Sequence, residues 1–332
     1  MMLFTVYIGF DIMKLIKRLA AILTIVPAMA FAWQPSKSVE VVIPFAPGSA
    51  NEVLFRVTSQ EVTKNTGVVF NITYKPGAGG VIGNEYFSKL PADGHSVLVA
   101  SINGIVAMDR VAVPSEQNRT YKPDSFVYPI HLAETSFAVL THPSDPVSTP
   151  AQLVEVLKNE KVSLAASGGA RLIYEELANR IKFKQGADGV QRIDHRGPSL
   201  AVADVLGGHV RFAVVPISVV AELYQDKKLK IIAVTGKKKV PAFPEIATLN
   251  SMLPGFDINS EWALALQKDV STSVVQWYQT EFTKAYSSPA LKELFKKQQF
   301  EINASLNTPA AIGAYMKKQT QDWKPLIDSI AK

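Results

Sequence analysis

Three short stretches of small residues hold most of the chemistry this sequence can offer. They are Pro44-Phe45-Ala46-Pro47-Gly48-Ser49-Ala50-Asn51, Pro76-Gly77-Ala78-Gly79-Gly80 and Ala166-Ser167-Gly168-Gly169-Ala170. Each follows a β-branched run and precedes a segment with helical spacing of apolar residues. Small side chains at such a turn let a ligand reach backbone N–H groups at a helix start, where the macrodipole favours an anion. Gly77, Gly79 and Gly83 imitate a dinucleotide fingerprint, but their spacing is GxGxxxG and the next strand ends at Ser101 without an acid to hold a ribose. Catalytic groups are scattered. There is no GxSxG elbow, and His95, His131, His142, His195 and His209 lie on unrelated segments without a metal-ligand spacing such as HExxH. Neither a catalytic nor a metal-ligating set is expected. Asp194-His195 is the one acid-histidine neighbour pair, and adjacent side chains at a strand end point to opposite faces. That argues against a dyad and leaves His195 either facing a ligand or serving structure.

The elements that must position these turns alternate in type. Residues 39–44, 68–74 and 96–101 read as strands, and 51–65 and 80–90 as helices. After an irregular stretch over 102–124, a strand over 137–142 leads to a helix over 149–159, where Thr149-Pro150 looks like an N-cap followed by an N1 proline. A second alternation has strands at 162–166, 190–195, 212–215 and 230–235, with helices near 173–180, 199–206 and 219–225. A last strand at 261–266 precedes three amphipathic helical stretches. This pattern predicts an α/β fold with a largely parallel sheet. We expect two α/β lobes, 33–135 plus 259–332 and 136–258, hinged near 133–135 and 257–260 with a ligand cleft between them.

Composition sets limits on partners. A chain of 332 residues, 47% hydrophobic and 19% charged, is globular and long enough for two domains. Its formal charge of +6 is mild, and the run Lys237-Lys238-Lys239 reads as a solvated loop, so no nucleic-acid partner is expected. The absence of cysteine excludes disulfides, thiolate nucleophiles, Cys-ligated metals and a lipoprotein anchor. Residues 1–32 read as leader and signal peptide. Lys14, Lys17 and Arg18 precede an apolar stretch over 19–26, and Ala30-Phe31-Ala32 is a small-x-small cleavage site. Residues 1–12 add no positive charge, which makes Met13 a second candidate start. The apolar run over 19–32 contains Pro27 and is shorter than the roughly 20 residues a spanning helix needs. Export to a periplasm is therefore expected.

Taken together, the motifs resemble those of the extracytoplasmic solute receptors of tripartite tricarboxylate transporters, the Bug proteins. The family's VPFPPGG-x-x-D-x-x-A-R stretch is matched by residues 43–56 and its N-R-P-G-A-G-G-x-x-G stretch by 74–83. Its P-x-D-G element falls on 91–98, its D-L-L-G-G-x-V on 204–210, and its L-x-x-L-A-v-T strand with a P-x-x-P-T segment on 229–235 and 243–248. The similarity runs from about Ser38 to Ile330. It implies a type II periplasmic-binding fold, a two-lobed Venus flytrap that closes on a small carboxylate. With that resemblance and the reading of the turns together, the expected ligand-facing residues are Phe45, Gly48, Ser49, Ala50, Asn51, Ala78, Gly79, Ser101, Ser167, Gly168, Gly169, His195 and Val215. The sequence departs from the pattern at Ser49, at Glu52 in place of aspartate, in a shortened stretch over 166–177, and at Val214 and Val215, where many members carry Asp-Asn.

The expected function is periplasmic capture of a small organic carboxylate for a membrane transporter, by a monomer, without catalysis and without cofactors. Two alternatives are a periplasmic hydrolase using Ser167 or Ser101 with His195, and a ligand-loaded partner of a sensor kinase. Because the usual acidic position is apolar, a carboxylate without an α-ammonium group is expected.

Overall fold

In the computed structural model, which describes residues 33–108 and 120–330, the β-branched runs form strands and the small-residue turns form their exits. The expected leader and both candidate starts lie outside the described residues. The strands are β1 (Val39–Ile43), β2 (Phe70–Tyr74), β3 (Ser96–Ser101), β4 (Phe126–Thr141), β5 (Val162–Ala166), β6 (Val190–Asp194), β7 (Phe212–Pro216), β8 (Lys230–Val234) and β9 (Asn259–Gln267). The helices are α1 (Ala50–Thr66), α2 (Val81–Ser88), α3 (Pro150–Asn159), α4 (Ala170–Ile181), α5 (Pro198–Leu206), α6 (Ile217–Gln225), α7 (Thr272–Tyr286), α8 (Pro289–Lys297) and α9 (Pro309–Ile330). Among the described residues no helix is long and apolar enough to cross a membrane.

The strand order is β2-β1-β3-β9-β4-β7-β5-β6, with β8 also on β4. β1 runs parallel to β2 and β3, and β5 runs parallel to β6 and β7, as strand-helix alternation requires. But β9 runs antiparallel to β3 and β4, and β4 to β7 and β8, so the pairing is mixed rather than largely parallel. The 16-residue β4 joins the two sets. Its residues 126–136 pair with β9, while residues 137–141 pair with β7 on one side and 138–141 with β8 on the other. Only its second part was expected as a strand. The first part carries Pro129 and two register shifts against β9, each adding one residue, and these break the alternation by which a strand is recognised.

Alternation along β7 sorts its side chains into two core clusters. Phe212 and Val214 pack on one face, with Leu164 and Phe137, and Ala213 and Val215 on the other, with Ala138 and Val220. Thr149 caps α3 as expected, its hydroxyl accepting from the N–H of Gln152.

Candidate functional site

Parallel strands release their chains at their carboxyl ends, and in open α/β sheets ligand crevices form there. The turns after β1, β3, β5 and β7 meet around one inner cavity of about 30 Å³. Its walls include Phe45, Ser49, Ala50, Asn51, Ser101, Ser167, Gly168 and Gly169, all of them expected site residues. Phe137, Pro198, Pro216, Ser260 and Trp262 complete it, and no lining residue carries a charged side chain.

Polarity in this cavity comes from the backbone and from hydroxyls. The starts of α1 at Ser49, α4 at Gly169, α5 at Gly197-Pro198 and α6 at Pro216 all reach it, and at none of them does a side chain cap the helix. By contrast, Thr149 caps α3 and Ser288 caps α8, both away from the cavity, although α2 and α7 are also uncapped. Each helix start carries about half a positive charge and unsatisfied N–H groups. Ser49 adds a hydroxyl oxygen that has no hydrogen-bond partner, on a residue only 1% exposed. Asn51 is otherwise employed: its Nδ2 donates to Val99 O at 3.0 Å and its Oδ1 accepts from Trp262 Nε1 at 3.0 Å. That bond fixes Trp262, from the far end of the chain, as a cavity wall.

Beyond Phe45 and Gly168 lies a side cavity of about 210 Å³ that is charged. It is lined by the Gly77–Gly80 turn, Arg171, Asp194, His195 and Arg196. Ala78 there holds φ +46°, a left-handed conformation that costs a residue with a Cβ about 1–2 kcal/mol, and strain of this kind gathers at functional sites. Arg171 Nε lies 3.3 Å from Asp194 Oδ1, and Asp194 also accepts from Arg192 Nε at 3.1 Å. Burial pushes the Arg171 guanidinium below its ordinary value, with Asp194 working against the shift. His195 Nε2 is 2.7 Å from Asp204 Oδ2 and its Nδ1 is 3.2 Å from Ile193 O. These two contacts hold the ring in place against the end of β6 and against α5.

Two gaps between facing turns are closed by glycine alone. A Cβ on Gly168 would lie 2.6 Å from Phe45 Cε1, and the residue holds φ +51°. A Cβ on Gly79 would lie 3.4 Å from an Arg171 guanidinium nitrogen, at φ +68°. Close by, Ser199 Oγ donates to Gly48 O at 3.0 Å.

Expected residues therefore divide between two adjoining cavities, with Ala78, Gly79 and His195 in the charged one. Gly48 and Val215 line neither. Gly48 is a turn residue whose N–H donates to Glu52 Oε2 at 2.8 Å. Val215 is fully buried in the core, and Pro216, one residue on and on the opposite face, takes the wall position. Glu52 also accepts from Tyr74 and Arg56, at 2.6 and 2.7 Å. Burial would raise its carboxyl, but the Tyr74, Arg56 and Gly48 bonds hold it below the usual value. Arg171 and Arg196 were not expected. The signal available was their position, one residue past an anion-friendly turn and one past His195.

Comparison with known proteins gives consistent relatives. A family model described as tripartite tricarboxylate transporter family receptor matches residues 54–331. A Pseudomonas sp. (strain P51) protein, described as a UPF0065 protein in the tcbD-tcbE intergenic region, is 28% identical over 298 residues, covering 88% of this chain and 86% of its own length. The structure of the periplasmic binding protein BugD aligns with TM-score 0.80 at 24% identity, over 90% of this chain and 98% of that one. MatC from Rhodopseudomonas palustris with bound malate aligns with TM-score 0.79 at 19% identity, over 89% and 100%. These likenesses show the periplasmic-binding-protein fold expected from the sequence.

Proposed function

The chain belongs to the tripartite tricarboxylate transporter receptor family, and on that premise we propose that it captures a small dicarboxylate in the periplasm and passes it to the membrane subunits of a transporter. The observation that carries this reading is the inner cavity, where four uncapped helix starts and the unpartnered Ser49 hydroxyl converge with no charged side chain among the walls. One carboxylate sits there, held by N–H groups and hydroxyls. The second faces Arg171 and Arg196 in the side cavity, where a guanidinium offers a planar fork to a carboxylate.

The lobes are 33–135 plus 259–332, and 136–258. At about 30 Å³ the inner cavity has room for little more than a water or two, so capture requires the lobes to part and close again. Gly168 then withdraws from Phe45, and the two cavities become one cleft. An ammonium group finds no acid in the inner cavity and would be buried unpaired, which costs several kcal/mol. Dicarboxylates without an amino group are favoured for that reason. The MatC structure, a relative in fold that holds malate, supports this class.

Binding without chemistry fits the state of His195. Asp204 Oδ2 and Ile193 O occupy both ring nitrogens, so neither is engaged with Ser101 or Ser167. The leader over 1–32 supplies export, and N-terminal sequencing of the purified protein should find Trp33 first.

A thermal-shift screen against mono-, di- and tricarboxylates, followed by calorimetry, tests the assignment. A dicarboxylate at 100 times its dissociation constant should add about 2.7 kcal/mol of stability. A screen in which no dicarboxylate shifts the transition, or in which monocarboxylates bind as tightly, would overturn it.

A further inference from the structure

Beside the cleft but outside its two cavities, the pairing of β4 with β9 assembles a second site that the sequence spacing conceals. Glu134 stands directly across the ladder from Glu261, an arrangement in which like charges repel. His131 lies three residues earlier and by strict alternation would point to the opposite face. The register shift between His131 and Ala133 adds one residue and turns it to the same side. One ligating atom from each of the three residues lies within 4.8 Å of the other two.

Two of the three are buried without the partners that burial demands, and Glu134 is half-buried. His131 is 2% exposed and Glu261 7%, yet neither ring nitrogen of His131 nor Oε2 of Glu261 has a hydrogen-bond partner. His131 Nε2 is 3.9 Å from Glu261 Oε2, too far for a hydrogen bond. It is close to the roughly 3.3–3.6 Å that separates two ligands on one tetrahedral ion with bonds of about 2.0–2.2 Å. The remaining Glu261 oxygen accepts from Tyr315 OH at 2.7 Å, and Asn303 reaches Glu134 at 3.4 Å, contacts of the kind that orient metal ligands. A cavity of about 220 Å³ adjoins the two carboxylates, and its lining includes Asp257 and Gln319 but no lysine or arginine.

We propose that His131, Glu134 and Glu261 bind one divalent transition-metal ion of the zinc type, with water from the adjoining cavity completing its shell. A mixed set of one imidazole and two carboxylates suits such an ion, whereas calcium and magnesium take oxygen ligands. The bound ion replaces the repulsion between Glu134 and Glu261 with two attractions. It also offsets the desolvation that pushes the His131 imidazole down to about 4 and the Glu261 carboxyl up to about 8. The site was not expected from the sequence, because its ligands come from two strands 130 residues apart and depend on a bulge.

The test is calorimetric titration of the chelator-treated protein with ZnCl₂, with Co²⁺ visible absorption as a second readout. One equivalent of Zn²⁺ should bind at micromolar affinity or better. Glu134→Gln and Glu261→Gln, nearly isosteric, should each lose at least tenfold in affinity while circular dichroism shows the fold retained. His142→Ala and His209→Ala, which lie outside the cluster, should leave binding unchanged. No saturable binding by the wild-type chain would overturn the proposal. So would undiminished binding in either glutamine variant that remains folded.

Discussion

The inner cavity of the cleft and the β4–β9 cluster lie close in the fold, and they treat charge in opposite ways. Around the first, no lining side chain is charged, and positive potential comes from the starts of α1, α4, α5 and α6. In the second, two carboxylates and an imidazole are brought together by a register shift, and Tyr315 orients one of them. A helix start is a fixed half-charge that pays no side-chain entropy and cannot be protonated away, so it suits a ligand that must be released. Buried carboxylates are expensive until a cation or a proton joins them, so they suit an occupant that stays. Trp262 and Glu261 are neighbours on β9, and strand alternation sends one to each site.

The largest expected effect comes from filling the gap on the neutral side. Gly168→Leu forces a side chain against the Phe45 ring at a backbone angle that favours glycine, and should weaken dicarboxylate binding by 100-fold or more, about 2.7 kcal/mol. Circular dichroism should show the fold intact. Undiminished affinity by calorimetry would mean that the ligand lies elsewhere.

Arg171→Gln sharpens the comparison by asking where side-chain charge enters. A charged hydrogen bond contributes about 1.5–3 kcal/mol, so dicarboxylates should bind roughly tenfold to 100-fold more weakly. A monocarboxylate, which needs only the inner cavity, should be unaffected. Equal losses for both ligand classes would show that the guanidinium acts on the first carboxylate as well.

Ser49→Ala should produce a smaller change with an informative sign. Loss of one hydroxyl contact, about 1 kcal/mol, predicts about fivefold weaker binding. Stability without ligand should hold or rise, because the hydroxyl is buried without a partner. A lower melting temperature would show that Ser49 already has a structural bond.

The smallest effect concerns Glu52, an acid beside the cleft that does not face it. Its folded pKa is depressed, so it contributes stability above the unfolded value near 4.5, and this is lost as pH falls through the lower folded value. Below about pH 4.5 the wild-type melting temperature should fall more steeply than that of Glu52→Gln, while dicarboxylate affinity at neutral pH changes less than threefold. Parallel curves would remove Glu52 as the clamp of the Gly48 turn.

Much of this arrangement was legible in the sequence because it is local. The strands over 96–101 and 162–166 and the turns that follow them need only β-branched runs ending in small residues. Features that depend on register or on distant pairing were not legible. The first part of β4 was read as irregular because Pro129 and two added residues spoil its period. Pro216 was missed for Val215 because one residue of error at a strand end reverses the face. The bond between Asn51 and Trp262 joins positions 211 residues apart, and neither type nor spacing announces it. Gly79, Gly168, Gly169 and Ser49 were legible as cavity walls because they lie in the backbone turns themselves.

The central claim is that the inner cavity of the cleft binds carboxylate through helix starts and holds no acid for an ammonium. Calorimetry with malate against aspartate, and with the corresponding pairs of longer dicarboxylates, tests it directly, since each pair differs only in a hydroxyl against an ammonium on the same carbon. The hydroxy dicarboxylate should bind at least 100-fold more tightly, about 2.7 kcal/mol. An amino acid that bound as tightly as its partner, or more tightly, would contradict the account.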